Sequence, residues 1–269
     1  MKTESIRNDA AYMDKLSSGD TPVHRLDARA KVLVTIAFVI AVLSFGKYEI
    51  SALVSFLVFP AFMIFYGRMP AIYFLRKIAI ISPLVIFIAI FNPVFDRRTV
   101  LVIGSLSISA GWFSFVSILI KFLLTAVSVL VLFAGTGFHE ICLALEKMGV
   151  PGEFVTQLNF LYRYLFVLMD EAARMNRSCS LRSFGKRRMK IPTVVSLLGN
   201  LLLRTMDRAE RLHRAMLARG FKGRISLIRD MNFGLADGVY TVFWVSLFVL
   251  MRLWNLPGLI GRVTLELIQ

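Results

Sequence analysis

MDEAARMNRSCSLRSFGKR, residues 169–187, and MDRAERLHRAMLARGFKGR, residues 206–224, are two copies of one pattern. They share Met169/Met206, Asp170/Asp207, Ala172/Ala209, Arg174/Arg211, Arg177/Arg214, Arg182/Arg219, Phe184/Phe221 and Arg187/Arg224. Every pair is 37 residues apart, so the likeness is a register. Asp170, Arg174 and Arg177 fall at i, i+4 and i+7 on one helix face, as do Asp207, Arg211 and Arg214. The four-residue step allows an Asp–Arg ion pair in each helix, worth roughly 0.3 kcal/mol. A solvated basic face accounts for those charges. It does not account for the ending, which in both copies is Arg, a small residue, then Phe. A guanidinium beside an apolar ring suits a groove on a protein, where the charge meets carboxylates or carbonyls and the ring is buried. Two equivalent tips on one chain suit a partner that presents the same groove twice, as a dimer does by symmetry.

Around this pattern, residues 138–237 hold 17 Lys and Arg against 9 Asp and Glu. Three helices are predicted there. A short one covers Phe138–Met148 and stops at Gly149-Val150-Pro151-Gly152. A long one runs from Glu153 to about Leu181. Another starts at Pro192, a residue favoured at the first helical position, and runs to about Ala218. Gly185 and Gly220 are placed as helix stops. Both long helices are apolar in their first halves and charged in their second. Asn159 and Asn200 are expected to hydrogen-bond across a crossing of the two.

Elsewhere the chain is built for lipid. Of its 269 residues 57% are hydrophobic and 23 are Phe, and the apolar residues lie in long runs. The predicted fold is an all-α integral membrane protein with about five transmembrane helices and a cytoplasmic coupling domain of one short and two long helices. The first span is Val32–Phe45, begun near Asp27 as its cap. The second is Ile50–Tyr66, with a kink at Pro60. Arg76 and Lys77 stand before the third, which contains Pro83 and ends at Asn92-Pro93. The fourth is Gly111–Ala134, ended by Gly135 and Gly137, and the last is Gly238–Trp254. Alternating apolar residues in 99–112 predict a small hairpin or re-entrant element. The expected domains are 1–134 (N-terminal arm and four spans), 135–237 (coupling helices) and 238–269 (last span and tail). The net charge of +15 concentrates in 1–31, 67–77 and 135–237, which places those segments and the N-terminus in the cytoplasm. Arg97 and Arg98 are a local exception.

Candidate chemistry is sparse. His24, His139 and His213 are scattered, and no His/Cys/Asp cluster has ligand spacing, so no metal site is expected. Cys142 and Cys179 read as small core residues. No sequence matches a phosphate-binding loop or a dinucleotide fingerprint, and no acid/base pair or nucleophile constellation is visible. The expectation is a non-enzymatic chain without cofactor. Lys121 in the fourth span and Arg163 in an apolar helix half are costly in a bilayer. For Lys121, pairing within the bundle is preferred over a transport path. Work across the membrane would need energy from a partner, and a dimeric ATPase holding the two tips would supply it.

In these residues the chain resembles the transmembrane (T) component of energy-coupling factor transporters, a branch of the ABC transporters, and most closely the cobalt-importer form, CbiQ. The likeness rests on Leu181-Arg182-Ser183 and Ala218-Arg219-Gly220, which match the family's two short Arg motifs, with Leu and Ser in the first replacing the usual Ala and Gly. It extends to His24-Arg25-Leu26-Asp27-Ala28-Arg29-Ala30-Lys31 and to the order of spans. The resemblance implies that Leu181, Arg182, Ser183 and Phe184, with Ala218, Arg219, Gly220 and Phe221, dock on dimeric ABC-type ATPase subunits that bind ATP and Mg. It further implies a separate substrate-binding membrane subunit, with a small accessory membrane protein as an optional further partner, held by the apolar parts of the coupling helices in a bacterial or archaeal inner membrane. Cobalt as substrate comes from the resemblance only. Alternatives are a T component for nickel or a vitamin, an ordinary ABC permease, and a membrane-anchored nucleic-acid or lipid binder. The coupling reading takes membrane lipid but no nucleic acid as a partner.

Overall fold

The computed structural model describes residues 12–46, 49–95, 99–103, 106–182, 191–221, 223 and 233–253. In chain order these form α1 (Pro22–Arg25), α2 (Ala28–Ser44), α3 (Ile50–Ser55), α4 (Val58–Tyr66), α5 (Ala71–Ala89) and α6 (Phe91–Phe95). Strands β1 (Thr99–Ile103) and β2 (Leu106–Ser109) follow, then α7 (Ala110–Thr136), α8 (Phe138–Lys147), α9 (Gly152–Arg182), α10 (Ile191–Ala218) and α11 (Leu235–Leu253). Contacts divide the chain into two compact units. One comprises Met13–Ile141 with Met231–Gln269, and the other Met1–Tyr12 with Cys142–Asp230.

The first unit is the membrane bundle. Among the described residues three helices are long and apolar enough to span: Ala71–Pro93, Gly111–Thr136 and Leu235–Leu253. The other two predicted spans are shorter. At 1.5 Å per residue, the 17 residues of α2 reach only about 26 Å. The second span is broken between α3 and α4. Pro60 has no N–H to give Phe56, and its ring crowds that carbonyl, so the break falls one turn before the proline. Pro83 does not break α5, because the Ser82 hydroxyl donates to the Ala79 carbonyl at 3.1 Å and satisfies the group the proline leaves free. Arg76 and Lys77 lie inside α5, not before it, since the helix begins directly after Pro70. Gly135 lies within α7, and Gly137, at φ +79, ends it. The expected hairpin is present as an antiparallel β1–β2 pair, with a register irregularity between Thr99 and Leu101. The predicted stops at Gly185 and at Asn255–Gly258, with Trp254, Arg97 and Arg98, lie outside the described residues.

Helix α2 is the spine of the bundle, packing on α7 and α11. Its Phe38 ring meets Phe59 at 4.8 Å and Phe248 at 5.4 Å between centroids. Trp244 closes on Phe59 at 4.9 Å. Such contacts add about 1 kcal/mol each beyond burial.

Both ends of α2 are held by charge. At its start, buried Asp27 accepts from the Arg29 N–H at 2.8 Å, the predicted cap. The Asp27 N–H in turn donates to Asp237 Oδ1 at 2.8 Å, and Asp237 Oδ2 accepts from Gly234 N–H at 2.9 Å, which ties α2 to the start of α11. Lys31 is 1% exposed, and its Nζ donates to the Gly135 carbonyl at 3.1 Å, near the end of α7 where the helix dipole favours a cation. At its other end, Lys121 Nζ donates to the Phe45 carbonyl at 2.6 Å. Arg252 donates to the Ser44 carbonyl at 3.1 Å and pairs with Glu49 at 3.3 Å. Lys121 is therefore a helix clamp within the bundle. We predict that Lys121→Met costs about 1.5–3 kcal/mol, the value of a hydrogen bond from a charged group, read as a lower melting temperature in detergent.

His24 is the hinge of the N-terminal arm. Its Nε2 meets the Leu16 carbonyl at 2.9 Å and its Nδ1 the Thr21 hydroxyl at 2.6 Å. Burial lowers its proton affinity below the ordinary value, against the opposing pull of the Leu16 carbonyl. The unfolded chain then takes up the proton more readily, so the His24 contribution is complete above about pH 6.5 and is lost as pH falls further. Melting curves of His24→Gln should accordingly fall less than those of the native chain on acidification from about pH 7.5 to 5.5.

Candidate functional site

The doubled stretch lies in the second unit, on α9 and α10. Glu171 of α9 accepts from Arg204 of α10 at 2.7 Å and from Arg174, one turn on, at 2.7 Å. Arg174, then Arg204, holds the Glu171 carboxyl below its usual range. Gly223, just past the end of α10, lies beside Glu153 at the start of α9. Moving back along α9 thus moves forward along α10, and the two helices are antiparallel where they meet.

The contact between the two helices extends over several turns, from Glu171 and Arg204 to Glu153 and Gly223. Two clefts flank it, and Tyr164, Leu168, Thr205, Arg208 and Leu212 line both. Measured from the Glu171–Arg204 link, Arg182 lies 11 residues further along α9 and Arg219 lies 15 further along α10, in opposite directions. At 1.5 Å per residue the two tips stand up to about 40 Å apart. The sequence repeat is realised as two Arg-bearing helix ends at opposite ends of an antiparallel pair.

The end of α10 explains the Arg-Gly-Phe pattern locally. Phe221 N–H donates to the Met216 carbonyl and Gly220 N–H to that of Leu217, each at 3.0 Å. This is a Schellman cap, with Gly220 at φ +80 and an apolar residue after it. Ala218, Arg219 and Gly220 are exposed and Phe221 is half-buried, so the ring folds back while the guanidinium stands at the helix end. In the first copy Leu181 and Arg182 are exposed at the end of α9. Ser183 and Phe184 lie outside the described residues.

Several expectations about the helix bodies are corrected. Arg174 pairs with Glu171, and Arg214 with Glu210, instead of the Asp170–Arg174 and Asp207–Arg211 pairs that the spacing allows. Glu171 wins because the Arg204 contact already fixes its position. Asn159 and Asn200 each donate to a carbonyl of their own helix, Val155 and Ser196, and Glu171–Arg204 is a polar link between the two helices. That link was missed because its partners are 33 residues apart, and neither Glu171 nor Arg204 is one of the positions the two copies share. Cys142 is buried, its thiol pushed up to about 11 by burial, but Cys179 is only half-buried on α9 and is not a core residue. Among the described residues no three His, Cys, Asp or Glu side chains gather to hold a metal.

A helical bundle with full-length apolar spans, joined in sequence to a pair of antiparallel charged helices that end in exposed arginines, defines a helical membrane protein with a paired-helix unit. Residues 19–228 match the CbiQ family, described as cobalt transport protein, and the chain belongs to that family. It is 25% identical to the energy-coupling factor transporter transmembrane protein EcfT of Lactococcus lactis subsp. cremoris over 260 residues, covering 90% of this chain and 97% of the relative. It is 29% identical to the EcfT of Heliobacterium modesticaldum over 258 residues, covering 88% and 94%. A relative from Methanocaldococcus jannaschii, called an uncharacterized protein, is 24% identical over 258 residues, covering 92% and 88%.

Gly220 offers a clean test of the tip. A Cβ there meets nothing within 4 Å, so Gly220→Ala adds backbone strain and no clash. The expected cost is about 1–2 kcal/mol, appearing as faster amide exchange in the last turn of α10 while the bundle melts as before.

Proposed function

We propose that this chain is the energy-coupling transmembrane subunit of an ATP-driven importer and is itself non-catalytic. The observation that carries the reading is that α9 and α10 run antiparallel and present Arg182 and Arg219, both exposed, at opposite ends of the pair. Such a pair fits two equivalent grooves in a dimeric ABC-type ATPase. When the dimer closes on ATP and Mg, the grooves approach and the two helix ends are driven relative to each other. Helices packed antiparallel pass that movement along their length, and their other halves move in response. The names of the EcfT relatives, as transmembrane proteins of energy-coupling factor transporters, support this division of labour.

The moving halves are apolar. On α10, Ile191, Val194, Val195, Leu198, Leu202 and Met206 recur at helical spacing, all are exposed, and no residue of the helix is buried. A face of this kind on a membrane protein fits a second membrane subunit, here the one that binds substrate. The family description supports Co2+ as the cargo. With the Lys and Arg of 1–31, 67–77 and 135–237 on one side, the N-terminus and the paired helices lie in the cytoplasm of a cell bounded by this membrane.

Arg182→Glu combined with Arg219→Glu should abolish co-purification of the ATPase from detergent extracts and stop Co2+ uptake, while the protein still reaches the membrane. Unchanged ATPase recovery and uptake in the double variant would sink the proposal.

A further inference from the structure

The antiparallel crossing has a chemical consequence. Each long helix is apolar first and charged second, so the crossing sets the apolar half of α9 against the charged half of α10. The larger flanking cleft, about 680 Å³, carries Arg163, Arg204, Arg208 and Arg211 against the single carboxylate of Glu171. Arg204 is engaged by Glu171, but among the described residues no carboxylate pairs with Arg163, Arg208 or Arg211. A second cleft of about 440 Å³ shares Tyr164, Leu168 and Leu212 with the first and continues onto Phe160, Leu161 and Met216. Its exposed surface is mostly hydrocarbon, with Arg208 at the join between the two. Both volumes fall within the range of small-molecule sites, about 300–1,000 Å³.

We infer that these joined clefts are a binding site for an anionic phospholipid, its phosphate held by Arg163, Arg208 and Arg211 and its acyl chain lying along Tyr164, Leu168 and Leu212. The guanidinium fork matches phosphate oxygens in geometry as well as charge. The apolar continuation has no use for a free inorganic anion and suits a hydrocarbon tail. A chain that crosses a bilayer meets such lipids at high local concentration, and anionic headgroups attract basic segments. A bound lipid there would brace the packing of α9 against α10. The site stands whether or not the tips dock on an ATPase, because it uses neither Arg182 nor Arg219.

The test uses the full chain in nanodiscs of equimolar phosphatidylglycerol and phosphatidylcholine, with retained lipid read by native mass spectrometry after release. The native protein should retain phosphatidylglycerol in preference to phosphatidylcholine. The variant Arg163→Gln with Arg208→Gln and Arg211→Gln, which leaves the Glu171–Arg204 link intact, should lower that retention at least about tenfold. A control carrying Arg177→Gln, Arg214→Gln and Arg219→Gln removes equal charge outside the clefts and should retain the lipid. Equal loss in the control would mean that net charge alone is responsible and would overturn the site. A second arm needs no variant: inorganic phosphate is added to the native protein. If phosphate displaces phosphatidylglycerol completely at millimolar concentration, the site is one for a free anion and the lipid assignment fails. Retention in the presence of phosphate supports it.

Discussion

The constraint on which the paired-helix unit depends is that α9 and α10 run antiparallel, with Glu171 set against Arg204. Two copies of one pattern laid parallel would bring like halves together, apolar on apolar and arginine on arginine. The antiparallel arrangement avoids the second of these. It puts Glu171 within reach of Arg204 and carries the two tips to opposite ends. The ion pair is exposed enough to contribute little stability by itself. Its effect is on register, since it fixes which turn of α9 sits over which turn of α10, and the tip positions follow at 1.5 Å per residue.

The membrane unit answers to a different constraint, the lack of water for backbone groups within lipid. Where a proline or a helix end frees a carbonyl, the bundle supplies a donor. Ser82 serves Ala79 beside Pro83, Lys31 serves Gly135 near the end of α7, and Lys121 and Arg252 serve Phe45 and Ser44 at the end of α2. The cations that look out of place in apolar segments are thus explained by helix ends. A charge spent on a carbonyl of the bundle is not free to line a path.

The tip motif joins local and functional demands in a few residues. Ala218-Arg219-Gly220-Phe221 closes α10 through two backbone hydrogen bonds that require glycine at φ +80. Any stable helix end of this kind favours small-then-apolar after its last residue. The cap accounts for Gly220 and Phe221 without a partner, and leaves Arg219 exposed at the helix end.

Much of this was legible in the sequence because it is decided within a turn or two of chain. The Asp27 cap, the break before Pro60, the stop at Gly220 and the bounds of α9 and α10 depend on residues no more than four or five positions apart. The 37-residue register, too, is a property of the sequence alone. Tertiary structure decided the rest. Asp170 and Glu171 are equally good local partners for Arg174, and only the arrival of Arg204 from the neighbouring helix favours Glu171. Asn200 donates to the Ser196 carbonyl of its own helix, one turn back. Lys121 found its carbonyl 76 residues away in sequence. A repeat states that two ends are alike, but not whether they point together or apart. That depends on packing between segments whose attraction is weak residue by residue and is settled only when the two helices meet along their length.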